Sequence, residues 1–67
     1  MLDKARQLFI ASLAYGKGMS YEDLYYSDYM SNDNKEYIDD IWDYVTEIEE
    51  IGIEEFKEIY KEYKLYF

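Results

Sequence analysis

Tyr37, Ile38, Ile41, Tyr44, Val45 and Ile48 recur at three- and four-residue spacing. That period fits one kind of surface, the apolar stripe of an amphipathic α-helix. On a helical wheel the six side chains span about 120°. Glu36, Asp39, Asp40, Asp43, Glu47 and Glu50 fall within about 100° on the opposite side, with Trp42 and Glu49 on one border. Any fold of this chain must bury the first arc and expose the second.

The rest of the chain fits the same class. Proline is absent, glycine stands only at positions 16, 18 and 52, and no stretch alternates apolar and polar residues as a half-buried strand would. Leu2, Ala5, Phe9 and Leu13 share a face of a first helix, and Leu8, Ile10 and Ala11 make its second half apolar nearly all round, as suits an element buried on several sides or at an interface. Gly16 is the expected left-handed stop. A second helix starts at Ser20, with Asp23 three residues on as a capping box. Tyr21, Leu24, Tyr25 and Tyr29 lie on one side of it, and it ends in Ser31–Asn34. Asp33 and Glu36 repeat the capping-box spacing ahead of the third helix. Gly52 is expected to end that helix in a Schellman turn that brings Ile53 onto Ile48, the rival being one long helix kinked at Gly52. A fourth helix buries Ile53, Phe56, Ile59, Tyr60, Tyr63 and Phe67. The expectation is a single acidic all-α domain over residues 1–67, a small three- to four-helix bundle with helices near 2–15, 20–30, 34–51 and 53–66. At 8.2 kDa a folded monomer exposes about 4,500 Å².

Composition narrows function by exclusion. The chain has no histidine and no cysteine, which removes the usual general base near neutral pH, imidazole and thiolate metal ligands, and Ser-His or Cys-His nucleophile pairs. The acids fall on an expected solvent face without a pocket or glycine-rich loop, so no catalytic residue is nominated and an enzyme is not expected. Ser31–Glu36 offers oxygen ligands but lacks the spacing and glycine of a calcium loop, so neither metal nor cofactor is expected. The longest uncharged run, residues 7–16, is too short to cross a bilayer, and no basic-then-apolar leader opens the chain. A soluble intracellular protein, cytoplasmic and without membrane contact, is expected.

Charge is segregated. Residues 1–19 carry Lys4, Arg6 and Lys17 against Asp3, a net of +2. Residues 22–55 carry 13 acids against Lys35, a net of −12, and residues 56–67 a net of +1, giving −9 in all. Like charges three and four residues apart each cost a helix a few tenths of a kcal/mol, and solubility alone needs a net charge of only about 2–8. The nine acids between Glu36 and Glu55, along about 30 Å of helix, give one charge per roughly 3.3 Å. One DNA strand carries a phosphate per about 3.4 Å.

The leading expectation from this match is an acidic inhibitor that imitates nucleic-acid phosphates and occupies a basic groove of a nucleic-acid-binding protein, without binding nucleic acid itself. Asp39, Asp40, Asp43, Glu47 and Glu50 are the expected phosphate surrogates, with Glu36 beside them. Glu22, Asp23, Asp28 and Asp33 extend the field, and Tyr26, Tyr29 and Trp42 serve as aromatic anchors, a role in which tyrosine and tryptophan are enriched. The alternative is a structural or regulatory module that self-associates, as a homodimer, through the apolar surplus at Leu8–Tyr15 and Leu65–Phe67.

Two resemblances accompany these readings. Gly18, Ser20, Tyr21, Glu22, Asp23 and Leu24 resemble the opening of the helix-turn-helix of sigma factors and related regulators. That resemblance implies a degenerate helix-turn-helix within the bundle, but Glu36, Asp39, Asp40 and Asp43 stand where a DNA reader needs Lys or Arg. Small size, acidity, ten tyrosines and residues with AT-rich codons are similar to phage-encoded inhibitors of the anti-CRISPR and anti-restriction type. That resemblance implies action in the host cytoplasm on a CRISPR or restriction effector, and no residue roles carry over from it.

Overall fold

The computed structural model describes residues 2–67, which form four α-helices and one 3-10 turn. These are α1 (Lys4–Gly16), α2 (Tyr21–Tyr25), the 3-10 turn (Asn32–Tyr37), α3 (Ile38–Ile51) and α4 (Ile53–Ile59). No strand occurs among the described residues. The all-α bundle expected from the sequence is what forms. It exposes 4527 Å², close to the roughly 4,500 Å² of a monomer of this mass.

α1 begins where the Asp3 carboxylate accepts from the Arg6 N–H at 2.9 Å, satisfying one of the free donors of the first turn. Its end differs from expectation. Gly16 is the last helical residue, and the left-handed position is Gly18 (φ 68°). Met19 N–H donates to Ala14 O at 2.9 Å and Gly18 N–H to Tyr15 O at 3.1 Å, the bond pair of a Schellman motif. Gly16 instead meets the chain's end: a Cβ there would lie 2.8 Å from the Tyr66 ring, which would have to shift.

The Ser20–Asp23 capping box is present in both directions, at 3.1 and 3.2 Å. α2 then stops at Tyr25 rather than near residue 30. The Ser27 hydroxyl donates to Leu24 O at 2.7 Å and the Lys35 ammonium to Tyr25 O, so the carbonyls of the last turn are held from outside the helix. Residues 26–37 separate α2 from α3, which leaves no tight helix-turn-helix turn. The Asp33–Glu36 capping box does not form either. Residues 32–37 wind as a 3-10 turn after Ser31, whose carbonyl takes the Asn34 and Lys35 N–H groups.

α3 is the spine, packing against α1 on one side and α4 at its end. Ile38, Ile41, Val45 and Ile48 are buried as the periodicity requires. Gly52 breaks the helix at φ 89° and ψ 159°, a region that essentially only glycine enters. Its extended ψ rules out the Schellman turn expected there. It turns the chain straight into α4, and Ile53 is left 36% exposed.

α4 is shorter than expected and ends at Ile59, itself 55% exposed. Of its expected stripe only Phe56 is fully buried, because residues 60–67 fold back instead of continuing the helix. Tyr66 N–H donates to the buried Ser12 Oγ at 2.7 Å, and Leu65 and Phe67 pack on a cluster of Leu8, Ile48 and Phe56. A larger cluster gathers Leu2, Ile10, Ala11, Ala14, Leu24, Met30, Ile38, Ile41 and Val45. The apolar surplus of α1 and of the last residues is largely taken up inside the chain.

Candidate interaction surface

α3 carries Asp39, Asp40, Asp43, Glu47, Glu49 and Glu50 and no basic residue. Its 14 residues span about 21 Å, so these six acids fall at one per roughly 3.5 Å of axis. The break at Gly52 shortens the array expected from the sequence and leaves its spacing almost unchanged. Glu36 lies just ahead, in the 3-10 turn, and Glu54 and Glu55 start a new axis in α4.

Asp39, Asp40, Asp43, Glu49 and Glu50 are exposed. Glu47 is only half-exposed, and its Oε1 is shut off from solvent without a hydrogen-bond partner. Tyr60 lies beside it. Burial pushes the Tyr60 phenol up to about 12, and the neighbouring Glu47 carboxylate acts in the same direction. Both effects disfavour a second negative charge there.

Asp39 is held by α2. The Tyr21 hydroxyl donates to its Oδ1 at 2.8 Å, a bond that also raises the Tyr21 pKa. The Tyr21 ring meets Trp42 edge-on, centroids 5.6 Å apart and planes at 82°. Sequence periodicity places Tyr21 with Leu24, Tyr25 and Tyr29 on one side of the second helix and gives no sign of this link, because Tyr21 and Asp39 are 18 residues apart.

The remaining expected site residues separate. Glu22 and Asp23 are exposed on α2, Asp23 already engaged in the capping box. Tyr26 is 76% exposed and leans edge-on against Tyr25. Asp28 and Tyr29 line a groove of about 630 Å³ with Ala5, Arg6, Phe9 and Lys64. The structure therefore joins Asp39, Asp40, Asp43, Glu50 and Trp42 into one surface, and does not bring Asp28 or Tyr29 to it.

No lysine forms an ion pair with this surface among the described residues, and Lys4 is the one that comes near it, sharing a cleft with Asp40 and Asp43. Lys61–Glu58, exposed and 3.8 Å apart, is the one ion pair among the described residues. Lys35 instead sits 4.0 Å from the Tyr25 ring centroid, Lys4 lies 5.6 Å from that of Tyr60, and Lys17 5.9 Å from that of Tyr66. These are cation–π distances. Among the described residues no helix is long and apolar enough to cross a membrane.

Comparison with protein-family models, with curated proteins and with solved structures finds no match.

Proposed function

We propose that the chain is an acidic inhibitor whose α3 surface imitates nucleic-acid phosphates and occupies a basic groove of a nucleic-acid-binding protein, a CRISPR or restriction effector in the phage-inhibitor reading. One observation carries this: α3 presents five exposed carboxylates, Asp39, Asp40, Asp43, Glu49 and Glu50, along about 21 Å of axis, and none of them is ion-paired with a cation among the described residues. Repulsion along α3 costs stability; a cationic partner would relieve it. Long-range attraction would make association fast and salt-sensitive. The role places the protein in the cytoplasm of the host cell and requires no catalytic residue, metal or cofactor.

The test is displacement of duplex DNA from a panel of purified CRISPR and restriction effectors at physiological salt. Wild-type chain should release DNA from at least one member. Asp40→Lys with Asp43→Lys should abolish release while the protein stays folded. Failure against the whole panel, or release that ignores both the reversals and salt, would reject the reading.

A second reading, the self-associating module, draws on Ile59 and Ile53, which stay exposed on α4. Sedimentation separates the two: a tight, salt-insensitive dimer with no affinity for basic proteins supports the module.

A further inference from the structure

Beside the acidic surface, where the α1–α2 turn approaches α3, lies a notch of about 190 Å³ lined by Tyr15, Gly18, Met19, Trp42, Val45 and Glu49. Drug-sized ligands occupy clefts from about 300 Å³ upward, so this notch has room for a single long side chain. Its walls are apolar or aromatic, and its only charged residue is Glu49. Trp42 and Glu49 are two helical turns apart on the same face of α3, with Val45 between them at the buried floor. Gly18 contributes no side chain to the rim. Lys17, the nearest cation in sequence, is placed over the Tyr66 ring, and Glu49 has no ion-pair partner among the described residues.

The geometry points to an arginine side chain of the basic partner as the occupant of this notch. The inference rests on the phosphate-mimic reading and sharpens it, from a general attraction for cations to a preference for arginine over lysine. Three features select that residue. An apolar channel suits the methylene stem that arginine and lysine share. Tryptophan is the best aromatic partner for a cation. Guanidinium, planar and weakly hydrated, stacks on an aromatic ring while its edge still donates to a carboxylate; ammonium is strongly hydrated and presents no such plane. Tyr21, bonded to Asp39 and set edge-on to Trp42, steadies the indole and joins the notch to the acidic array.

Trp42 is the only tryptophan, so its fluorescence reports on the notch and on the edge of the acidic surface that it borders. The experiment titrates the full chain with a peptide of alternating Gly and Arg, and with its Lys counterpart. Both peptides should bind through the acidic surface, the Arg peptide about tenfold more tightly, and only the Arg peptide should change Trp42 emission. Glu49→Gln, an exposed substitution checked by thermal melting, should bring the two affinities together chiefly by weakening the Arg peptide. Equal affinities with unmoved emission would overturn the notch and leave the acidic-surface reading standing. So would an emission change common to both peptides, or an equal loss of both affinities in Glu49→Gln. Binding of neither peptide would overturn both proposals.

Discussion

Ser12 Oγ donates to Phe9 O at 2.8 Å and accepts from Tyr66 N–H at 2.7 Å. It is the one fully buried polar residue among those described, and it ties the last residues to α1. Ser12→Ala should cost about 1–3 kcal/mol, because it strands the Tyr66 donor as well as deleting a bond; urea denaturation measures it. Tyr60 supplies a pH signature. Its phenol titrates near 12 when folded against an ordinary 10.0. Below pH 10 it is neutral in both states and its contribution is complete. Between pH 10 and 12 the unfolded chain ionises first, so stability falls as pH climbs. Tyr60→Phe should flatten that decline without removing it, since Tyr21 is shifted in the same direction. Identical alkaline slopes in the two proteins would contradict the assignment.

At the scale of elements, α3 was readable because its evidence is local. Six apolar side chains in phase fix both the helix and its buried face, and the acids opposite follow. The ends of α2 and α4 were not readable, because they depend on contacts distant in sequence. Lys35 and Ser27 capture α2 carbonyls, and Ser12, 54 residues away, captures the Tyr66 amide. Helical periodicity in residues 60–67 yields to packing of Leu65 and Phe67 on Phe56, the usual outcome when burial competes with propensity. The acidic array was legible as composition and phase, whereas the link from Tyr21 to Asp39 was not. Gly52 was recognised as a break, but its backbone angles were not foreseen. Gly52→Ala should destabilise by about 1–3 kcal/mol through backbone strain alone, since an added Cβ would meet nothing within 4 Å. An unchanged denaturation midpoint would show that the joint relaxes freely.

Across the whole molecule, a net charge of −9 is opposed by a single surface ion pair among the described residues, and such pairs contribute little. Self-repulsion therefore acts against the fold, and screening should relieve it. The melting temperature should rise as salt is added from low ionic strength. Asp43→Lys removes like-charge neighbours at Asp39, Asp40 and Glu47 together, and should raise the melting temperature by a few degrees. The same substitution should weaken binding to any cationic partner. Stability and recognition moving in opposite directions is the signature of a surface kept for use. A melting temperature indifferent to both salt and charge reversal would show that the carboxylates do not burden the fold.

Lysines stationed over tyrosine rings leave Asp40, Asp43 and Glu50 without a hydrogen bond or ion pair that supports the fold. Selection is then free to rewrite those positions one at a time. Under the inhibitor role proposed above, a lineage carrying this scaffold could follow a changing adversary from one binding cleft to the next, and no intermediate sequence along the way would have to sacrifice its hydrophobic core.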